Sequence, residues 1–542
     1  MNRSIPNEVH SKLLELAQHD RSASLIEKFQ QQPDRVTDLV YTVDDLRLDL
    51  SKTHLSSELI DCYTEFASKI SFTEKRADFL SGVKINRTED RAVLHTLLRA
   101  SNFDSLNLVD DELHNQAVQA RQDFADQLTR IRQNLQGREI PVTDFVHIGI
   151  GGSALGTQLV YESLAEMNSQ IKVHFVSNID AHQLVDVLRQ CRPESTLVFG
   201  ISKTFTTSET LQNIRSVLSW LEGQVEEPLD SLIAVTANAE QAKKFGVKPD
   251  HVVTFPNWVG GRYSVWSSVS MSAAIAMAEG DFDEFLVGAA NIDSHFASEP
   301  LTSNICFLAA ALDHYYANYF AAGSRAIFAY DHRLRSLVPY LQQLETESNG
   351  KDRRQDGSSA DQKTSPVIWG GVGTDVQHSV FQMLHQGTSV IPTDFILVAQ
   401  PDHEHSEHHS ALLANGVAQS AALLAGQTRE EILHYEPDIS GNELAVSAKQ
   451  FSGNRPSSTI VLRRLTPRAL GSLLAFYEHR TYCYGQLVDI NSFDQMGVEL
   501  GKRLAKSAAS LMSEQPDDQS VTAGEPPFDP STIATIEYLK SV

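Results

Sequence analysis

Cysteine and positive charge are both scarce in this sequence. Its four cysteines, at positions 62, 191, 306 and 483 of 542, form no CxxC motif. That usage predicts reduced, buried thiols in a cytoplasmic protein. Acidic residues outnumber basic ones by 69 to 45, which gives a net charge of −24. Because such a surface repels phosphate backbones, the charge argues against a nucleic-acid partner.

Long apolar runs are also missing. None approaches the roughly 20 residues that a membrane-spanning helix needs, so we expect no contact with a membrane. The N-terminal stretch MNRSIPNEVHSKLLELAQHD is polar, which argues against a signal peptide. With 41% hydrophobic and 21% charged residues, the composition is typical of a soluble globular protein. We therefore predict a cytoplasmic location.

The pattern of apolar residues changes along the chain. Residues 1–115 show helical periodicity, which predicts a helical N-terminal region. Short apolar runs separated by helical segments then occur twice, at 116–285 and at 286–512. Runs of this kind predict parallel strands covered on both faces. We therefore predict an α/β fold with two tandem doubly wound, flavodoxin-like domains, followed by a polar tail at 513–542.

The strand segments are predicted from these apolar runs. In the first domain they are 145–150, 172–176, 196–202, 231–237 and 251–255, and in the second 325–330, 366–371, 390–399 and 458–465. Ligands of doubly wound sheets bind beyond the carboxyl ends of the strands. The residues that follow each run are therefore the candidates for chemistry.

A run of hydroxyl side chains follows the third strand of the first domain. The stretch VFGISKTFTTSET, 198–210, begins apolar and ends with Ser and Thr around Lys203. Thr206 and Glu209 have the spacing of a capping box, which predicts a helix starting near Thr207. An ordinary strand-to-helix turn would use the same residues. The lysine among hydroxyls at a helix start favours a phosphate site.

The stretch GIGGSALG, 149–156, follows the first strand of the same sheet. Gly149, Gly151 and Ala154 match the dinucleotide pattern G-x-G-x-x-G/A, which is a weak signal alone. A dinucleotide site also needs an acidic residue at the end of the second strand. That strand ends instead in HFVSN, and no Walker A motif is present. A nicotinamide cofactor and a kinase are therefore both disfavoured.

Several further residues could carry chemistry. Arg262 follows two glycines and could bind an oxyanion or form a surface salt bridge. In LVPYLQQLETESNGK, 337–351, helical spacing brings Gln343 and Glu347 to one face. Glu345 and Glu347 are both candidate bases, and the topology does not separate them.

Histidines form two further groups. His378 and His385 share one face of a predicted helix, where either could be a core residue. The stretch PDHEHSEHHS, 401–410, suggests a metal, but it lacks the third-ligand pattern of a dedicated site. Near the C-terminus, Gln495 and Lys502 are spaced like His378 and His385, seven residues apart.

Taken together, these stretches resemble the phosphoglucose isomerase family. The matching segments, in the family's order, are GIGGSALG, GISKTFTTSET, NWVGGRYS, QQLETESNGK, GTDVQHSVFQMLHQGT and INSFDQMGVELGK. The resemblance runs from about residue 140 to 505. It implies two sugar-isomerase domains and a homodimer with shared active sites. The implied reaction interconverts glucose 6-phosphate and fructose 6-phosphate, in glycolysis and gluconeogenesis, with no metal or other cofactor.

The resemblance also implies roles for individual residues. It makes Glu347, and not Glu345, the base, with Arg262 facing the reacting carbons. It assigns ring opening to His378, supplied by the other subunit, and to Lys502. The implied binding residues are Gly152 and Ser153 beside the sugar, Ser202, Lys203, Thr204 and Thr207 at the phosphate, and Gln343 and Gln495 lining the pocket.

The sequence departs from the family's usual pattern at a few positions. Ser208 stands in place of Gln, Thr346 in place of Met, Asp375 and Val376 in place of Asn-Gly, and Met496 in place of Trp. None of these changes removes a proton-transfer group. The alternative is a non-catalytic sugar-phosphate-binding regulator on the same fold, which would not need Glu347, Arg262 and His378 together.

Overall fold

The computed structural model of the chain describes residues 5–99, 109, 111–167, 169–513 and 528–542. Its residues divide into two units, Met1–Ser492 and Phe493–Val542. The larger unit contains both β-sheets, and the smaller contains the last two helices. Among the described helices, none combines the length and the apolar character that crossing a bilayer requires.

The strands are numbered in chain order. They are β1 Val40–Val43, β2 Leu46–Asp49, β3 Asp144–Ile148, β4 Lys172–Val176, β5 Thr196–Ile201, β6 Leu232–Thr236, β7 Val252–Thr254, β8 Ser324–Tyr330, β9 Val367–Val372, β10 Thr393–Val398 and β11 Ser457–Leu462.

The α-helices are numbered in the same way. They are α1 Asn7–Ser22, α2 Leu25–Gln31, α3 Arg35–Asp38, α4 Ser57–Lys69, α5 Phe72–Ser81, α6 Asp111–Gln136, α7 Leu155–Leu164, α8 Ala181–Leu188, α9 Ser208–Leu221, α10 Ala239–Phe245, α11 Met271–Ala276, α12 Asp281–Ser298, α13 Ile305–Tyr319, α14 Leu337–Gln342, α15 Gln377–Gln386, α16 Ser406–Ala425, α17 Arg429–Tyr435, α18 Glu443–Lys449, α19 Pro467–Leu487, α20 Glu499–Met512 and α21 Pro530–Ser541.

The first sheet is parallel throughout, with strand order β4-β3-β5-β6-β7. β3 and β5 are buried along their whole length, as expected for strands covered by helices on both faces. Every apolar run that was predicted to be a strand forms one, in both sheets, with bounds that shift by at most three residues. The predicted α/β class with parallel sheets is confirmed.

The second sheet contains a hairpin that the sequence analysis missed. Its order is β1-β2-β11-β10-β8-β9, and β8 to β11 are parallel. β1 and β2 form an antiparallel hairpin, and β2 pairs antiparallel with β11. The prediction of helices alone for 1–115 is therefore wrong at 40–49. Each strand has four residues, too few to establish a period of two against the surrounding helical pattern.

The predicted domain limits at 115, 285 and 512 stay predictions. The first sheet lies within 116–285, and the parallel strands of the second lie within 286–512. The predicted linker at 513–530 falls mostly on residues 514–527, outside the described residues. The short final helix that was predicted beyond it is α21.

Helices α12 and α19 pack at van der Waals contact because glycines lie between them. A Cβ atom on Gly288 would lie 1.9 Å from the carbonyl oxygen of Arg468, and one on Gly471 would lie 2.0 Å from that of Phe285. The hydroxyl of Ser472 donates to the Gly288 carbonyl at 2.9 Å. Helix α19 is buried from Ala469 to Leu487, so this contact positions one of the central helices of the larger unit.

Replacing Gly288 with alanine is expected to destabilise the protein. Because the new methyl group must push backbone atoms apart, Gly288→Ala should lower the free energy of unfolding by about 1–3 kcal/mol. Calorimetric Tm measurements check this. The matched control is Gly501→Ala in α20, where a Cβ meets nothing within 4 Å. That change should raise the stability of its helix by up to about 1 kcal/mol. A similar Tm for both variants would contradict the packing argument.

Candidate active site

Two glycine-rich turns meet beyond the first sheet. After β3 the chain makes a 3-10 turn at Gly151–Ser153, and a second 3-10 turn lies at Gly261–Tyr263. A Cβ atom on Gly152 would lie 2.2 Å from the carbonyl carbon of Gly261, and Ser264 Oγ donates to the Gly152 carbonyl at 3.1 Å. Glycine is therefore required at 152 because two backbones touch there.

The second of these turns carries Arg262, whose side chain is buried. Its Nε donates to Ser348 Oγ at 2.7 Å, and its Nη2 donates to the Ser492 carbonyl at 2.6 Å. Its Nη1 lies 3.8 Å from Glu347 Oε1. The guanidinium group is thus held in a fixed orientation beside a carboxylate, and the surface salt bridge considered from the sequence is ruled out by its burial.

Glu347 is positioned by a wide helical turn. Helix α14 continues into a π-helical turn at Gln343–Glu347, where the sequence predicted a regular helix. Gln343 Nε2 donates to Glu347 Oε2 at 2.7 Å, so these two side chains share a face as predicted. The Glu347 side chain is 23% exposed. A Cβ atom on Gly151 would lie 2.9 Å from Gln343 Nε2, which places the glycine turn beside this pair.

Glu345 lies in the same turn but belongs to a different group. It is buried and pairs with Arg325, which also binds Asp313. Arg480 donates to Asp313 at 2.6 Å and to Asp394 at 2.7 Å. Three carboxyl groups therefore share two guanidinium groups in the interior. Burial outweighs the attraction of Arg325 and raises the pKa of Glu345 to about 7.

The hydroxyl run forms the loop between β5 and α9. Ser202 Oγ and Thr207 Oγ1 lie 3.0 Å apart, and Thr204 Oγ1 and Thr206 Oγ1 lie 2.7 Å apart. The predicted capping box is wrong, because helix α9 begins at Ser208 and its N-cap, Thr207, makes no side-chain cap hydrogen bond. Hydroxyl groups thus gather beside the positive end of a 14-residue helix, which is a setting that suits an anion.

The ammonium group of Lys203 is turned away from those hydroxyls. It donates to the carbonyls of Asn257 at 2.7 Å and Val259 at 2.9 Å. Burial lowers its pKa to about 8. In this arrangement the ammonium connects two loops at the edge of the first sheet. The predicted role of Lys203 at a phosphate stays a prediction.

Two of the predicted residues lie apart from the Arg262–Glu347 group. His378 is exposed in the first turn of α15, and its imidazole forms no hydrogen bond with any described residue. His385, on the same helix, bonds Gln419 Oε1 at 3.0 Å and packs on Phe381 and Phe451. This packing makes His385 a structural residue.

Gln495 and Lys502 belong to the smaller unit. Gln495 precedes the turn at Met496–Val498, and Lys502 lies on α20 with its ammonium 2.9 Å from Glu499 Oε1. Their predicted roles in the pocket and in ring opening stay predictions. Ser153 is the last residue of the first glycine turn and is half-buried.

Sequence reasoning missed the residues that hold Arg262. Ser348 and Asn349 were quoted only as a helix end, yet Ser348 Oγ accepts from Arg262 and lies 2.9 Å from Tyr263 Oη. Asn349 Oδ1 accepts from Ser492 Oγ at 2.7 Å. A buried arginine must find acceptors, so the polar Ser348-Asn349 pair was a signal that could have been used.

The comparisons with known proteins agree with one another. The model of the family described as "Phosphoglucose isomerase" matches residues 49–536. A glucose-6-phosphate isomerase of Rhizorhabdus wittichii is 42% identical, over 95% of this chain and 96% of the relative. One from Zymomonas mobilis is 39% identical, over 95% and 94%. A crystal structure of a Chlamydia trachomatis glucose-6-phosphate isomerase superposes with a TM-score of 0.83 at 31% identity, over 96% and 98%.

The buried position of Glu345 predicts a pH-dependent stability difference. Its folded-state pKa is about 7, above the ordinary 4.5. As the pH rises between these values the unfolded chain loses this proton and the folded chain keeps it. The wild type should therefore lose up to about 3 kcal/mol relative to Glu345→Gln between about pH 5 and about pH 8. Thermal unfolding of the wild type and of Glu345→Gln at both pH values measures this difference in stability.

The control for this prediction is Glu222→Gln, at an exposed position after α9. The difference in stability between this variant and the wild type should be the same at both pH values. If the wild type and Glu345→Gln kept the same Tm difference at both pH values, Glu345 would not be the group that titrates.

Proposed function

The chain belongs to the phosphoglucose isomerase family, and we propose that the group formed by Arg262, Gln343 and Glu347 is its active site. The protein is an aldose–ketose isomerase that interconverts glucose 6-phosphate and fructose 6-phosphate. The observation that supports this site best is a partly exposed carboxylate next to a fixed, buried guanidinium group. A base and an electrostatic stabiliser side by side are what proton transfer next to a carbonyl needs.

The proposed chemistry begins at C2 of the open-chain aldose. Glu347 removes the C2 proton, and the electron pair forms a cis-enediolate with negative charge on oxygen. Arg262 is permanently charged, and Ser348 and Ser492 fix its orientation. It can therefore stabilise that charge without reorganisation, an effect typically worth about 3–4 kcal/mol. Glu347 then returns the proton to C1, and the proton on O2 passes to O1, so that C2 becomes the carbonyl carbon and the aldose becomes a ketose. Gln343 donates to the carboxylate and orients it.

Ring opening needs a second proton-transfer group. A proton must reach the ring oxygen while another leaves the C1 hydroxyl, and a histidine can do both near neutral pH. We propose that His378 performs this step, assisted by Lys502. On its own chain the imidazole is exposed, so it can be offered to another copy. This supports a homodimer in which each active site uses His378 of the partner subunit.

The phosphate is proposed to bind at the loop of Ser202, Lys203, Thr204 and Thr207. Hydroxyl groups and the start of α9 supply donors and a positive potential there. The sugar would then extend toward Gly152 and Ser153, with Gln495 lining the pocket. The proton transfers written above use only side chains of the protein, so the proposal includes no metal or other cofactor.

The competing function is a non-catalytic sugar-phosphate-binding regulator. It would use the hydroxyl loop but would gain nothing from a carboxylate beside a buried arginine.

The four cysteines are all free and buried, which is compatible with the proposed cytoplasmic location and role in glycolysis and gluconeogenesis.

Glu347→Gln is expected to abolish almost all turnover while sugar phosphates still bind. The amide keeps the shape of the side chain but cannot accept the C2 proton. Solvent-hydrogen exchange at C2, followed by NMR, measures that step directly. Glu345→Gln is the matched comparison and should retain turnover. If turnover survived in Glu347→Gln and was lost in Glu345→Gln, the base would be misassigned.

Restoration of an EDTA-inactivated enzyme by a divalent metal would contradict the cofactor-free mechanism.

Thr207→Val should weaken phosphate binding. A lost hydrogen bond to a charged group costs about 1.5–3 kcal/mol, so KM for fructose 6-phosphate should rise at least tenfold. The control is Ser208→Ala, one residue on, where the hydroxyl is bonded to Glu209; its KM should change less than twofold. If the wild type bound glucose and glucose 6-phosphate with equal affinity, the proposed phosphate site would be contradicted.

Mixing two inactive variants tests the shared active site. Glu347→Gln and His378→Ala proteins are combined, and their subunits are exchanged under mild denaturation. A mixed dimer with shared sites would have one site with both defects and one with neither. Random exchange should then restore up to about one quarter of wild-type activity. If exchange is verified by native mass spectrometry and no activity returns, both groups come from one chain.

A further inference from the structure

Three metal-binding residue types meet at the amino-terminal edge of the first sheet. Asp144 is the first residue of β3, His174 lies on β4, and Cys191 follows α8. One donor atom from each lies within 4.8 Å of the other two. The proposed active site lies at the opposite, carboxyl-terminal edge. The six residues from Asp144 to Gly149, five steps along the strand, alone span roughly 16 Å, so this group is separate from the proposed chemistry.

The sheet itself holds two of these side chains in place. Asp144 pairs with Lys172 in the β3–β4 ladder, and His174 is two residues further along β4. Alternation along a strand therefore puts Asp144 and His174 on the same face of the sheet. His174 Nε2 lies 2.8 Å from Asp144 Oδ1, and Thr143 Oγ1 donates to Asp144 Oδ2 at 2.7 Å. The group is therefore built on a rigid element with a supporting hydrogen bond.

Burial and donor chemistry indicate which kind of ligand these three side chains could bind. The side chains of His174 and Asp144 are 5% and 12% exposed, and Cys191 is a free, buried thiol. An imidazole nitrogen, a carboxylate oxygen and a sulfur form a donor set that suits Zn²⁺. Bond lengths of about 2.0–2.3 Å place tetrahedral ligand atoms roughly 3.3–3.7 Å apart. The His174–Asp144 separation of 2.8 Å is shorter than that range, and the two separations from Cys191 are at most 4.8 Å, so side-chain shifts of about an ångström would bring the three atoms to ligand distances.

We propose that Asp144, His174 and Cys191 bind one Zn²⁺ ion, with water as the fourth ligand. On binding, Cys191 loses its thiol proton and coordinates as thiolate. His174 keeps one proton, now on Nδ1, and coordinates through Nε2, while Asp144 coordinates as carboxylate. One proton is released for each ion bound. The ion joins β3, β4 and the connection from α8 to β5, which gives it a structural role.

Cobalt substitution gives the sharpest test of this site. Co²⁺ is added to the full-length, chelator-treated protein. Tetrahedral coordination with a thiolate produces a near-ultraviolet charge-transfer band and strong visible bands. We expect one such centre per chain, lost in Cys191→Ser and displaced by Zn²⁺. Cys62→Ser, at another buried free thiol, is the matched control and should keep the bands. The exposed histidines at 403–409 can bind Co²⁺ through imidazole but cannot produce a thiolate band.

Stability and turnover supply an independent readout. Zn²⁺ should raise the Tm of the wild type and leave the Tm of Asp144→Asn and His174→Gln unchanged. Isomerase turnover should be the same with and without Zn²⁺, and it also reports that each variant is folded. Absence of a thiolate band at excess Co²⁺, or a band that persists in Cys191→Ser, would overturn the proposal. If Cys191→Ser does not fold, loss of the band in His174→Gln supports the site, and a band unchanged in that variant overturns it.

Discussion

The buried guanidinium group of Arg262 is the constraint on which the proposed site depends. A charged group taken out of water needs acceptors for its N–H groups, and two segments of the larger unit supply hydrogen bonds to it. Ser348 lies directly after the π-helical turn, and Ser492 lies in the segment after α19. Glu347, the last residue of the turn, lies 3.8 Å away as an ion-pair partner. Satisfying one buried charge therefore brings the proposed base, its stabiliser and both halves of the larger unit together.

Other buried arginines of the larger unit contact carboxylates directly. Arg99 lies between Asp293 and Glu478, and Arg480 lies between Asp313 and Asp394. Each of these two guanidinium groups forms direct ion pairs with two carboxylates. Arg262 donates to a hydroxyl and a carbonyl, and its guanidinium group lies 3.8 Å from Glu347. These hydrogen bonds fix its orientation while the proposed base stays within reach of its charge.

The sequence predicted those parts that have long, consistent patterns. Apolar strands such as 196–201 are unambiguous, and so is their parallel arrangement. The hairpin at 40–49 was missed because its strands are too short to set a period. Topology could not separate Glu345 from Glu347, because both lie in the turn after α14. Residues two apart point to different sides of a helix, and only the tertiary packing shows that Glu345 is the buried one. The acceptors of the Lys203 ammonium, the carbonyls of 257 and 259, could not be predicted because they are distant in sequence.

The π-helical turn at 343–347 also limits how this segment can change during evolution. A π turn holds one residue more than an α turn. Deletion of one residue between Gln343 and Glu347 would return the segment to a regular α-helix and leave the residues after it close to their present direction around the axis, because the extra residue of the turn is what is removed. The separation over which Gln343 donates to Glu347 would shorten from four residues to three. A change of length in this turn therefore acts on the carboxylate and its amide donor, and it spares the contact that Ser348 makes with Arg262.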